Sequence, residues 1–491
     1  MAGPAEGSEP VTTPAAAAAL LRSRPYVVLL VVAAAIGVPV SAVAYFFLAL
    51  VSKLQHWLFT SLPHGLGFQA EPLWWPVPLV ALSGLLTALA ILWLPGTGGH
   101  EPAEGLKTKG APTPAQLPGV IVAALATLSL GAVLGPEAPL IALGGGLAAC
   151  VVRLARRPVP PTAAGVIAGS GSFAAVSTLF GSPLLGAFLL MEAVGLGGLS
   201  LELVLLPGLL AAGVGSLIFI GLGDWTGLGT LSLRIPNLPH VGVPQAAEFG
   251  WAIVIGLAAA ALGTVIRWLA LRARDRVARR RLLLTPLLGA AVGGLAVAYA
   301  AGTGRSSGEV LFSGQSALPH LAAHAATYSV GALVLLLACK SLAYSLSLSG
   351  FRGGPVFPSL FVGAVGGIAL SHLPGLTMVA GMAMGIGAMC AVMLRLPLTS
   401  VLLATLLLYS DGVAVMPLVI VAVVVSYVAS ARFVPDPPPD HPPSGTAPAN
   451  AAPSGTAPSG TAPSATAPSG TAPSGTAPSG TGPAGTAPPA P

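Results

Sequence analysis

Apolar residues occur in long runs that recur along the first 431 residues, separated by short polar or Gly- and Pro-rich breaks. Several runs exceed the roughly 20 residues that cross a bilayer. Runs such as 252–271, rich in Leu, Ala and Val without alternation, predict helices rather than barrel strands. The predicted segments are 26–52, 74–95, 117–134, 137–155, 163–179, 183–198, 200–222, 246–271, 282–301, 329–347, 355–371, 376–394, 397–409 and 414–431.

Composition supports a lipid environment. Hydrophobic residues make up 54% of the chain and charged residues only 7%, against roughly 25% charged residues in soluble domains. The net charge of +6 lies in short Arg clusters between apolar runs, which indicates membrane topology rather than nucleic-acid binding. The pattern therefore predicts a multi-pass protein of the cell membrane. The partner that this composition implies is the lipid bilayer.

Three regions are predicted. Residues 1–24 form a polar cytoplasmic N-terminus, and 25–434 form the transmembrane domain, with repeat halves at about 25–271 and 282–431. Residues 435–491 repeat Ala-Pro-Ser-Gly-Thr with almost no charge. Such a segment cannot bury enough apolar surface to offset the entropy of ordering, so it is predicted to be a disordered tail.

The halves share a motif, Gly-Pro-x-x-Pro followed by Gly five residues later, which occurs at 135–144 and again at 354–363. Ser182-Pro183-Leu184 and Leu396-Pro397-Leu398 form a second matched pair in the same order. An Arg cluster follows only the first Gly-Pro segment, so the two segments should point in opposite directions across the membrane. This predicts an inverted repeat with a substrate site near the bilayer midplane.

Each Gly-Pro pair predicts the start of a helix whose N-terminal N–H groups are free to bind an anion. Pro suits the first helical turn, and the preceding Gly allows close backbone approach. The following residues present unpaired N–H groups at the positive end of the helix dipole, which attract an anion without Lys or Arg. The plainer interpretation is that Gly-Pro merely starts a helix. Two opposed starts favour a neutral anion site instead.

Glu137 is an isolated acid in the first turn of the first Gly-Pro helix. Ionisable residues inside membranes are expensive to bury and commonly functional. A carboxylate at this point would compete with an anion for the same N–H groups and would open the path when protonated or displaced. The alternative is a simple helix cap.

These motifs resemble those of the CLC family of chloride channels and chloride/proton exchangers. The family's Gly-Lys/Arg-Glu-Gly-Pro motif is similar to residues 135–139, its Gly-x-Phe-x-Pro motif to 353–358, and its Gly-Ser-Gly-Ile-Pro motif to 98–102. The resemblance implies an all-α polytopic membrane protein with an inverted-repeat, CLC-like fold containing discontinuous and re-entrant helices. It also implies a homodimer that moves chloride or a similar small anion, gated by Glu137. The implied anion-binding residues are Gly135, Ala138, Val356, Phe357 and Gly99.

Three departures from the family pattern bear on mechanism. Gly99 replaces the family's anion-contacting Ser, and Ala193 replaces the inner proton-branch glutamate. Glu192, one position earlier, is a possible proton relay or the cap of a helix near the inner surface. The family's final helix, which carries an anion-contacting Tyr, is not expected here, since the chain turns to Pro435-Asp436-Pro437 after Arg432 and Tyr427 belongs to the preceding segment. Because Ala193 cannot relay protons, we expect channel-like conduction. A proton-coupled exchanger and a secondary transporter of an organic anion stay as alternatives.

An enzyme, a metal protein and a cofactor protein are disfavoured. Ser170 has no His on an evident neighbouring helix, and His320 and His324 are spaced to bind metal but have no evident third ligand. Cys150, Cys339 and Cys390 lie in apolar segments and are expected to be small buried side chains. No cofactor motif is present in the sequence.

Overall fold

A computed structural model describes residues 19, 21–106, 110–154, 159–195, 199–227, 244–408 and 412–433. Each of the fourteen predicted segments forms a helix. These fourteen helices are α1 (Arg24–His56), α2 (Pro76–Trp93), α3 (Leu117–Ser129), α4 (Glu137–Leu154), α5 (Pro161–Phe180), α6 (Pro183–Val194), α7 (Leu199–Thr226), α8 (Ala246–Arg279), α9 (Arg281–Thr303), α10 (Val330–Gly350), α11 (Val356–Leu370), α12 (Met378–Leu394), α13 (Pro397–Leu407) and α14 (Gly412–Phe433). Two short helices also occur, at Leu62–Gly65 and Ala317–Ala323.

Nine helical segments in the described part of the chain are long and apolar enough to cross a bilayer. The helices α3, α6, α11, α12 and α13 are apolar but shorter, as expected for discontinuous helices buried within a membrane protein. Large apolar side chains such as Leu154, Leu217 and Trp268 are exposed on the outside of the bundle. The fold is therefore that of an all-helical, multi-pass membrane protein, as predicted.

Short polar and Pro-containing sequences set the helix starts. The hydroxyls of Ser23, Ser182 and Ser329 each accept a hydrogen bond from the backbone N–H three residues later, which satisfies one of the N–H groups left free at a helix start. Pro occupies the first helical turn of α2, α3, α5, α6 and α13, where it costs no hydrogen bond.

The helix packing repeats along the chain, with α8 in the place of α1. The second packing unit therefore begins at α8, whereas the predicted halves placed residues 246–271 in the first half. Helix α4 packs on α5 as α11 packs on α12, and α5 packs on α7 as α12 packs on α14. In the same way α1 packs on α7 and α5 as α8 packs on α14 and α12. Two halves of one chain therefore use the same packing plan. The regions 1–18 and 434–491, which contain most of the predicted N-terminal segment and the predicted tail, lie outside the described residues.

One lysine side chain lies fully buried in the second half. Lys340 of α10 donates from Nζ to the carbonyl oxygens of Glu309, Leu311 and Phe312, at 3.2, 2.8 and 3.0 Å. A buried ammonium is tolerated only when its donors are satisfied. These three bonds fix the 309–312 segment, and the amide of Phe312 donates in turn to the carbonyl of Gly131, just before the first Gly-Pro motif.

Glycine allows the paired helices of each half to pack in backbone contact. In the second half, a Cβ on Gly363 or Gly367 of α11 would overlap the carbonyl of Gly385 or Gly381 of α12. In the first half, Gly144 of α4 meets the carbonyl of Gly171 of α5 in the same way. Small residues at membrane helix interfaces permit this close approach.

We predict that Gly367→Ala destabilises the protein, because the added methyl group overlaps the carbonyl of Gly381. Overpacking of this kind typically costs about 1–3 kcal/mol, so the melting temperature of the detergent-solubilised protein should fall. The neighbouring Gly366→Ala is the control, since its Cβ would meet only Leu337 Cδ1 at 3.9 Å. Equal melting temperatures for the two variants would contradict this packing.

Candidate functional site

Two glycines join the halves at their Gly-Pro motifs. The amide of Gly135 donates to the carbonyl of Gly354 at 2.7 Å, and the amide of Gly354 donates to the carbonyl of Gly135 at 2.6 Å. A reciprocal pair of this kind is what a local two-fold relation between two strands of backbone produces. It brings the N-termini of α4 and α11 to the same place.

Glu137 lies at this meeting point. It is the first residue of α4, and its side chain is fully buried. Its Oε1 accepts a hydrogen bond from the amide of Phe357 in the first turn of α11, at 2.8 Å. The side chain of one half therefore caps the helix of the other half.

The second carboxyl oxygen is less well satisfied. Glu137 Oε2 is buried and has no hydrogen-bond partner within the described residues. A Cβ added to Gly135 would overlap both carboxyl oxygens, and one added to Gly354 would overlap Oε2. Both glycines are therefore required for the carboxyl group to fit between the two backbones.

Aromatic side chains enclose this point on the α11 side. The ring of Phe357 stacks on that of Phe180, with centroids 5.7 Å apart, and Val356 is fully buried. Tyr344 of α10 is also fully buried, and its hydroxyl donates to the carbonyl of Pro355 at 2.8 Å. Tyr344 could not be recognised as part of the site from the sequence. Its place in an apolar run gave no signal that its hydroxyl reaches the Gly-Pro motif.

A cavity of about 910 Å³ lies beside the site and is lined by residues of the first half. Gly99 and Ala138 both line it, together with polar side chains that include Thr97, Gln116 and Ser172. Ala138 directly follows Glu137, so the cavity reaches the helical turn that carries the carboxyl group. The cavity therefore links the Gly98–Gly99 turn to the start of α4.

The predicted residues are thus only partly assembled in one place. Gly135, Glu137, Val356 and Phe357 meet at the joined helix starts, whereas Gly99 and Ala138 contact the cavity beside them. Among the described residues, no hydrogen bond joins Gly99 directly to Phe357.

Glu192 lies elsewhere. At the end of α6, its Oε1 accepts from the amide of Leu398 at 3.0 Å, and its Oε2 accepts from the amide and hydroxyl of Thr399 at 2.8 and 2.6 Å. Glu192 therefore caps the start of α13. Ala193 is half-buried and packs against the apolar core. The cap was one of the two roles that the sequence left open for Glu192.

Other candidates from the sequence form no evident site. The rings of His320 and His324 stack with centroids 4.4 Å apart, but no group of three metal-binding side chains occurs in the described ranges. The three cysteines are free thiols. Tyr427 lies within α14, as the sequence indicated, and is partly exposed.

A family model described as voltage gated chloride channel matches residues 95–431. The match covers more than half of the chain and includes both Gly-Pro motifs. The chain belongs to this family, the CLC family of anion channels and transporters, and its function is CLC-type anion transport across a membrane rather than enzymatic catalysis.

Curated relatives agree. The chain is 31% identical over 360 residues to putative ion-transport protein YfeO of Escherichia coli (strain SMS-3-5 / SECEC), covering 72% of this chain and 81% of that protein. The YfeO protein of Escherichia fergusonii matches with the same identity and coverage.

Solved structures share the fold at lower identity. A slow cyanobacterial Cl⁻/H⁺ antiporter superimposes with a TM-score of 0.67 at 19% identity, covering 83% of this chain and 95% of that chain. A CLC-type fluoride/proton antiporter gives a TM-score of 0.59 at 22% identity, covering 83% and 96%. These likenesses show the CLC fold.

We predict that Glu192→Ala lowers the melting temperature, because it leaves two amides and one hydroxyl at the start of α13 without their acceptor. Loss of a helix cap typically costs about 0.5–2 kcal/mol. Glu192→Gln retains one carbonyl acceptor and should lose less. A Glu192→Ala variant as stable as the wild type would contradict the capping role.

Proposed function

We propose that the chain conducts chloride or a similar small anion through a pathway gated by Glu137. The observation that carries this proposal is the Glu137 carboxyl group held by the amide of Phe357 between Gly135 and Gly354. A carboxylate oxygen that accepts a backbone N–H occupies the position in which that N–H would bind an anion. The gate and the transported ion would therefore compete for one set of donors.

The donors suit a permeant anion. They are backbone amides at two helix N-termini, which carry partial rather than full positive charge. Conduction requires binding that is favourable enough for entry and weak enough for exit. Gly135, Val356 and Phe357 would then contribute the central binding site, and Gly99 and Ala138 would line its approach from the cavity.

Channel-like conduction is the form of transport that we favour. Proton-coupled exchange needs a group that passes protons to Glu137. Ala193 has no titratable group, and both carboxyl oxygens of Glu192 are used in the cap on α13. This supports a pathway in which anions cross without obligatory proton movement, and it makes a relay role for Glu192 the weaker hypothesis.

A homodimer is proposed on the family resemblance, with a complete pathway in each subunit. The residues that we assign to the pathway all come from one chain, and none of the proposed contacts needs a second copy.

We predict that purified protein in liposomes releases chloride down its gradient without an accompanying proton flux. Chloride and protons are recorded together, with and without a proton ionophore, and a carboxylate gradient is tested in parallel. Proton movement in fixed ratio to chloride would instead identify an exchanger. Transport of carboxylates alone would identify an organic-anion transporter and overturn the chloride proposal.

We further predict that Glu137→Gln raises anion flux at neutral pH and reduces its increase on acidification. In the wild type, protonation at low pH removes the negative charge that competes with the anion, so flux should rise as pH falls. The glutamine is neutral at every pH, which removes this dependence. The measurement is the ratio of flux between acidic and neutral pH.

Glu248→Gln is the matched control, because Glu248 is also a buried acid in a first helical turn but bonds to Gln245 and Thr377 away from the site. Its pH dependence should equal that of the wild type. If Glu137→Gln, in well-folded protein, retains the wild-type pH dependence, Glu137 is a structural cap and not the gate.

A further inference from the structure

Arg352 connects the second half of the protein to three points of the first half. It lies between α10 and α11, two residues before Gly354, and it is 4% exposed. Its amide donates to Thr127 Oγ1 at 3.3 Å. Its guanidinium donates from Nε to the carbonyl of Thr97 at 3.1 Å and from Nη2 to Glu101 Oε1 at 3.1 Å.

The turn that Arg352 holds has a strained backbone. Thr97, Gly98 and Gly99 have φ angles of 51, 71 and 92°. Thr97 is a β-branched residue in the left-handed region, which such residues rarely adopt unless neighbouring contacts hold them there. The stem of Arg352 also packs on this turn, since a Cβ on Gly98 would lie 3.2 Å from Arg352 Cγ.

The turn leads directly to the pathway. Gly99 lines the cavity together with Ala138 of α4. Because Gly99 has no side chain, only its backbone can contact an anion there, and a backbone group cannot rotate to adjust to its ligand as a hydroxyl can. The position of this backbone therefore depends on the contacts that hold the turn, and Arg352 provides two of them.

Arg352 is not itself an anion ligand in this arrangement. It is not among the residues that line the cavity, and its guanidinium is committed to Thr97 and Glu101. Glu101 is also within 3.9 Å of Arg274 and 4.0 Å of Arg281, and Arg274 lies 3.3 Å from Glu104. These arginines offset two carboxylates that would otherwise repel anions from the cavity.

We propose that Arg352 is a positioning residue that fixes the Gly98–Gly99 turn relative to the joined helix starts and thereby sets which anions the pathway prefers. This inference rests on the proposed anion pathway. The chain connects Arg352 to the Gly135–Gly354 pair through one intervening glycine, so a single side chain sets the spacing between the two parts of the pathway.

The test is the relative permeability of chloride, nitrate and fluoride in liposomes for Arg352→Gln, Arg352→Lys and Glu101→Gln. We expect Arg352→Gln to change the chloride-to-nitrate ratio by about threefold or more, because a displaced Gly99 backbone would contact spherical chloride and planar nitrate differently. Arg352→Lys should give an intermediate change, because an ammonium lacks the planar fork that bonds Thr97 and Glu101 together.

Glu101→Gln should shift the ratio in the same direction by a smaller amount, since the contact to Thr97 remains. Arg274→Gln is the control. It removes a more exposed partner of Glu101 and Glu104, so total anion flux should fall. The turn stays in place, so the chloride-to-nitrate ratio should be unchanged. If Arg352→Gln fails to fold, the Lys variant and Glu101→Gln carry the test.

Monodisperse, conducting Arg352→Lys and Glu101→Gln proteins with the wild-type permeability ratio would overturn this inference alone, because Arg352 would then serve only stability. Wild-type protein that moves no anion would overturn the proposed function, and this inference with it.

Discussion

The structure depends on the reciprocal hydrogen bonds between Gly135 and Gly354. These bonds place the positive ends of two helix dipoles next to each other inside an apolar bundle. Two such ends repel when nothing lies between them, so the arrangement needs a negative group at the junction. In the present structure that group is the Glu137 carboxyl, and its position between the two backbones explains why both motifs contain glycine.

The Glu137 carboxyl group is incompletely hydrogen-bonded, and this bears on its proposed role as a gate. One oxygen is held by the Phe357 amide, and the other is buried without a partner in the part of the chain that is described. Burying a polar atom without a hydrogen bond costs free energy, so the carboxyl group is held less firmly than the doubly capped Glu192 at α13. An anion can displace a carboxyl group held in this way and accept the hydrogen bond from the Phe357 amide in its place. Glu192, by contrast, is bonded through both oxygens to a helix that it stabilises.

Much of the fold could be predicted from the sequence, because helices follow from local features, namely the length of the apolar runs and the Gly-Pro pairs at helix starts. All fourteen segments appear as helices, and the meeting of 135–139 with 354–358 followed from the repeat. The role of Arg352 could not be predicted in this way, since its partners Thr97 and Glu101 are about 250 residues away in sequence. Lys340 and Arg352 were still detectable as rare charges in an apolar region, which is a signal of function or of specific pairing. Tyr344 gave no such signal, because a tyrosine in an apolar run is common.

The most direct test of the central claim is anomalous diffraction from crystals of Glu137→Gln grown in bromide. If the two helix starts form an anion site that the carboxylate normally occupies, a bromide peak should appear within hydrogen-bond distance of the Phe357 amide, between Gly135 and Gly354. A variant of unchanged fold that shows no bromide at this position, or bromide only in the cavity beyond Ala138, would contradict the account.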